Sequence, residues 1–163
     1  MKNLLFLFLT TIAFAQTPSE QISEMLDNWH KAAANAKFDD YMNAMTSDAM
    51  FMGTDATENW NKKDFMIFAK PYFDKGKAWS FTALERNVYI AKDQNVAWFD
   101  ELLETQMKIC RGSGVLVKVG KKWKIQHYVL SMTIPNDNTN EVIKLKQIIE
   151  NPLIEKLKSN IKK

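Results

Sequence analysis

The chain has 163 residues, 46% hydrophobic and 25% charged, the length and balance of a single globular domain. Its formal charge of +3, with no aromatic-plus-basic motif of an RNA binder, gives no reason to expect a nucleic-acid partner. Five Trp and ten Phe supply material for a large core or an aromatic-lined cavity.

Residues 1–15 read as a signal peptide. Lys2 precedes an apolar run from Leu4 to Phe14, and Ala13-Phe14-Ala15 fits the small-x-small rule of a signal peptidase site. The run is too short for a stable membrane anchor. The expected mature chain begins at Gln16 and is exported, to the periplasm or beyond. No Cys follows the run to take a lipid. Cys110 is the only cysteine, so an internal disulfide is excluded, and a small structural thiol is the expectation for it.

Residues 19–36 carry Ile22, Met25, Leu26, Trp29, Ala32, Ala33 and Ala36 at helical spacing, with Ser19 as the candidate cap. His30, next to Trp29, is expected on the helix surface or rim. A short helix fits Asp39 to Met45, and Ala49 to Gly53 reads as a short strand. Asn61 and Asp64 mark a third helix start, with Phe65, Phe68, Ala69 and Tyr72 on one side and an end near Gly76.

Four long strands follow: Trp79 to Lys92, Val96 to Met107, Arg111 to Val119 and Trp123 to Ile134. Their short connections predict an antiparallel meander, so the class is α+β with helices on one face of the sheet. After Pro135, residues 136–163 are expected to be a helical tail, docked by Val142, Leu145, Ile148 and Ile149.

Asp100 and Glu101 are adjacent acids inside a strand, so they point to opposite faces. A tight turn after Met107, with Val119 against Trp123, sets Val117 against Ile125 and aligns Asp100, Val115 and His127 in one row. Arg86 falls opposite Asp100 or Glu101. One reading makes Asp100 and His127 a proton-handling pair in a pocket. The other makes Arg86 the ion-pair partner of one acid and His127 a hydrogen-bonded core residue.

The chain resembles the SnoaL-like group of the nuclear transport factor 2-like superfamily from about Ile22 to Asn136. The segments that carry the resemblance are "WHKAAANAKFDDYMNAM", "FMGTDATENW", "FAKPYFDKG", "VAWFDELL", "CRGSGVL" and "WKIQHYVLSMTIPND". It implies a cone-shaped α+β fold, with three N-terminal helices on a strongly curved antiparallel sheet and a deep cavity, over a domain of residues 19–135. Members include isomerases, dehydratases and cyclases, so the fold alone does not give an activity.

The resemblance also places Asp55 near the cavity mouth, followed by Glu58 and Trp60. It puts Trp98 with Asp100, or Phe99 with Glu101, toward the cavity, and supplies Arg111, Ser113, His127 and Ser131. The expected function is binding of a small, mostly apolar molecule in a cavity lined by Met45, Met52, Trp60, Phe68, Trp79, Trp98 and His127. The alternative is an acid–base isomerase, dehydratase or lyase, with Asp55 or Asp100 as base and His127 or Tyr128 as acid. A third is a structural dimeric partner domain. A homodimer through the outer sheet face is expected, because both faces of the Val96–Leu103 strand carry large apolar groups. No HxH, HExxH or paired-Cys spacing occurs, so neither a metal nor another cofactor is expected.

Overall fold

The computed structural model describes residues 16–161; the expected signal peptide lies outside the described residues. Helix α1 (Pro18–Ala34) opens two residues earlier than expected. Thr17 rather than Ser19 caps it, in a reciprocal box with Glu20, and Pro18 takes the first helical position. Helix α2 (Phe38–Asn43) leads into β1 (Met45–Met52), and β2 (Asn59–Asn61) pairs back on β1. Helix α3 (Lys62–Asp74) starts at the expected cap, where Asn61 Oδ1 accepts the Asp64 N–H at 3.0 Å.

Strands β3 (Thr82–Ile90), β4 (Val96–Thr105), β5 (Lys108–Val119) and β6 (Lys122–Met132) form the expected antiparallel meander. The sheet is larger than the meander and is mixed. Its order is β2-β1-β6-β5-β4-β3, and β1 runs parallel to β6. Trp79 lies before β3, in the connection from α3.

Alternation divides the sheet cleanly. On β4, Ala97, Phe99, Glu101, Leu103 and Thr105 are buried, and Trp98, Asp100, Leu102 and Glu104 face outward. The buried side meets α1 through Ile22, Leu26, Trp29 and Ala33, and α3 through Phe65, Ala69 and Phe73. Cys110 is buried in this core as a free thiol.

Two turns are tighter than the sequence suggested. Thr105 builds the β4–β5 turn: its Oγ1 accepts the Met107 N–H at 2.9 Å and donates to the Lys108 carbonyl at 2.9 Å. The β5–β6 turn contains only Gly120 and Lys121, with Gly120 at φ +62°, a conformation that favours glycine.

The tail is one helix, α4 (Thr139–Ile161), joined by a 3₁₀ turn at Asn136–Asn138, with Pro152 inside it. It buries none of its residues, and Leu145, Ile148 and Ile149 remain largely exposed. The expected docking of its apolar stripe is therefore corrected: within one chain the helix stands clear of the cone.

Candidate functional site

The acid that enters the interior is Glu101, and Arg86 lies directly opposite it on β3. Glu101 Oε2 accepts the Arg86 Nε–H at 2.9 Å, and Nη2 lies 2.8 Å away as an ionic contact without a directed bond of its own. Glu101 Oε1 receives His30 Nε2 at 2.9 Å and the Tyr128 hydroxyl at 3.4 Å. Arg86 reaches on to α1, donating to the Ser23 carbonyl at 2.9 Å and to Asp27 at 2.8 Å.

Burial opposes the Glu101 charge. The hydrogen bond and charge of His30, together with Arg86, outweigh it and hold the carboxyl below its ordinary value of 4.5. The Tyr128 hydroxyl is pushed well up by burial and by the neighbouring Glu101 charge. Gly112 on β5 makes room for the group. A Cβ there would collide with the Tyr128 hydroxyl and come within 2.9 Å of Glu101 Oε1.

The expectation for His30 is corrected. It is 4% exposed and is part of the interior, packed between Trp29 and Phe81. A sequence signal for this existed. Ser23, Asp27 and His30 recur at helical spacing beside the apolar stripe of α1, and His30 stands four residues after Leu26.

A pocket of about 130 Å³ opens between α3 and the end of the sheet. Six aromatic residues line it: Phe51, Trp60, Phe65, Phe68, Trp79 and Phe81. All but Phe81, which meets His30, interlock, with Phe51 stacked on Phe65 at 3.9 Å and Trp60 on Phe68 at 4.4 Å between centroids. Among the described residues Glu58 is the only charged one in the lining. A wider groove of about 860 Å³ lies elsewhere, over α1, α2 and the β5–β6 turn. Its lining mixes lysines, side-chain amides, Glu24 and Asp40 with Met25, Trp29 and Trp123, and holds none of the expected site residues.

Trp60 and Trp79 stand at the pocket, as does Phe68. The other expected residues do not. Met52, Trp98, Asp100, Arg111, His127 and Ser131 all lie on the outer face. One row runs Tyr89, Trp98, Val115, His127, Met50, and the next runs Asn87, Asp100, Ser113, Val129, Met52. Arg111 pairs with Leu102 and Ser131 in a third.

Asp100 thus faces Ser113 rather than Val115, and its carboxylate accepts a hydrogen bond from Asn87 at 3.2 Å. Val117 faces Lys124, and Leu116 faces Ile125. Val115 still meets His127, because a bulge at Gln126 restores the residue lost at the shorter turn. Asp55 is on the exposed loop after β1. Its Oδ1 accepts the Thr57 hydroxyl at 2.6 Å and the Thr57 N–H at 2.8 Å, and these bonds lower its pKa. Met45, offered as a lining residue, is fully buried in the core. Among the described residues no group of three or more His, Cys, Asp or Glu is placed to hold a metal ion.

The model of the SnoaL-like domain matches residues 22–135. The chain belongs to the SnoaL-like family. No curated protein matches it in sequence. Solved structures share the fold at low identity. An NTF2-like protein of unknown function from Pseudomonas putida KT2440 has a TM-score of 0.62 at 11% identity, over 76% of this chain and 94% of that one. A candidate scytalone dehydratase from Novosphingobium aromaticivorans gives 0.60 at 11%, over 71% and 84%. A candidate calcium/calmodulin-dependent protein kinase II association domain from Xanthomonas campestris gives 0.57 at 16%, over 78% and 94%.

The Glu101 cluster of this SnoaL-like domain sets an acid limit on its stability. A carboxyl whose folded pKa is lowered stabilises the fold above its ordinary value, and that contribution is lost as pH falls through 4.5 toward the folded value. Glu101→Gln is expected to cost about 3 kcal/mol at neutral pH, because it leaves Arg86 facing a neutral group in the interior. The difference from wild type should shrink below pH 4.5. Urea unfolding of both proteins at neutral and acid pH measures it; a penalty independent of pH would show that the ionised carboxylate is not what stabilises the fold.

Proposed function

We propose that this SnoaL-like domain is a binding module that takes a small, mostly apolar molecule into the pocket between α3 and the sheet. The observation that carries the reading is the lining of six aromatic side chains, five of them in mutual ring contact, around about 130 Å³ of space. That volume is close to the roughly 150 Å³ of an engineered apolar cavity that admits benzene. The acid–base alternative has less support. Asp100 and His127 are on the other side of the sheet, Asp55 is tied to Thr57, and both oxygens of Glu101 are engaged.

Toluene titrated into the mature protein should shift the indole N–H resonances of Trp60 and Trp79 in NMR spectra and leave Trp98 in place. Met107→Trp, which fills the pocket from the β4–β5 turn, should abolish the shifts. Shifts confined to Trp98 would place the apolar site on the outer face and end this reading.

The homodimer belongs to the same proposal. Trp98, Tyr89, Leu84, Ile109 and Met132 are all exposed to at least 47% on the outer face or its edges, and Tyr89 stacks on Trp98 at 5.9 Å. Such an apolar surface on one copy suits a second copy. The likeness to a candidate association domain supports the reading. Light scattering at micromolar concentration should give twice the chain mass, and Trp98→Glu should reduce it to one chain without loss of secondary structure. A wild-type protein that stays monomeric would remove the proposal.

Export completes it and rests on the sequence of residues 1–15. Amino-terminal sequencing of protein recovered outside the cytoplasm should begin at Gln16; an intact Met1 there would refute cleavage.

A further inference from the structure

The lining of the pocket is uneven in its chemistry. Phe51 and Phe65 are buried, and Trp60, Phe68, Trp79 and Phe81 are half-buried. Among the described residues no Lys or Arg lines the pocket, and the single ionisable group there is the half-buried Glu58. A pocket made only for neutral apolar ligands gains nothing from a carboxylate, which resists desolvation unless it meets a positive partner.

Glu58 is held at the opening by local structure. Its Oε2 accepts the Asp55 N–H at 3.2 Å, and it forms no ion pair among the described residues. The side chain lies directly over Gly53, where any Cβ would collide with the carboxylate. Gly53 is thus the residue that lets the charge fold back against the chain at the pocket. Asp55, kept ionised by Thr57, adds a second negative charge on the same loop.

We propose that the preferred ligand of this pocket is a small organic cation, a quaternary or fully alkylated ammonium group, held against the aromatic rings and paired with Glu58. The proposal rests on the pocket being the binding site. The faces of Trp, Tyr and Phe carry negative quadrupole charge and attract a cation that is not tightly hydrated. An alkylated ammonium also suits the shortage of acceptors. Beyond Glu58, the polar side chains of the lining are those of Thr54 and Gln106, too few to satisfy three N–H donors of a primary ammonium. A quaternary group has none to satisfy, and its methyl shell packs against rings as a hydrocarbon does.

The test compares two ligands of nearly the same shape. Choline carries a trimethylammonium group; 3,3-dimethyl-1-butanol replaces its nitrogen by carbon and is neutral. Calorimetric or NMR titration of the mature protein should show choline binding about tenfold more tightly, the ratio that corresponds to about 1.4 kcal/mol. Glu58→Gln should reduce that preference and leave the affinity for the alcohol unchanged. Trp60→Leu, which keeps apolar volume but removes a π face, should weaken choline more than the alcohol. Equal binding of the two ligands to wild type overturns the cation assignment and leaves the pocket reading intact. Failure of choline while toluene binds has the same meaning. Failure of all three ligands removes the pocket reading itself.

Discussion

A single carboxylate near the middle of the sheet sets the geometry of the cone. Glu101 has no exposed side-chain surface, so its charge must be met from within the protein. Three neighbouring elements supply partners: α1 through His30, β3 through Arg86 and β6 through Tyr128. Strand β5 contributes by giving way, since Gly112 leaves the room that a Cβ would fill. Arg86 extends the network to Asp27 and the Ser23 carbonyl, so two successive turns of α1 are tied to the sheet by ion pairs and hydrogen bonds. Apolar packing fixes how deeply α1 is buried, whereas these directed contacts fix its rotation and its position along the strands.

The two sides of the sheet have separate tasks. The inner side spends its polar capacity on the Glu101 network and leaves an aromatic pocket at one end. The outer side collects Met52, Trp98, Asp100, Arg111, His127 and Ser131 in adjacent rows. These residues do form a contiguous surface, but one turned away from the core and the pocket. A one-residue change of register exchanges the faces, which is why the bulge at Gln126 matters: it brings Tyr128 inward to Glu101 while His127 turns outward.

Much of the architecture was legible in the sequence. Helix α1 followed from its apolar spacing, α3 from Asn61 and Asp64, and the β3–β6 meander from runs of aromatic and β-branched residues. The adjacent acids correctly marked a place where the sheet buries a charge, and Arg86 was among the partners foreseen. The parallel β1–β6 pairing was not legible, because it joins strands far apart in sequence and no turn announces it. The candidate site was misread for a local reason. The Thr105 side chain closes a tight turn at Gln106 and Met107, one that the apolar pattern running through this segment conceals. That shift moved Asp100 away from Val115. Trp60 and Trp79 line the pocket from segments flanking α3, which are less sensitive to strand register.

The C-terminal helix makes the protein thermodynamically two objects. None of its 23 residues is fully buried, so intrinsic propensity and i,i+3 or i,i+4 charge pairs chiefly favour the helical state, and Pro152 removes one hydrogen bond near its middle. The cone melts as its core melts; the tail follows a helix–coil equilibrium of its own. Whatever surface accepts the stripe of Leu145, Ile148 and Ile149 adds its contact energy to that equilibrium alone. The helical content of Thr139–Ile161 is therefore a gauge of occupancy, one that rises and falls without any change in the cone.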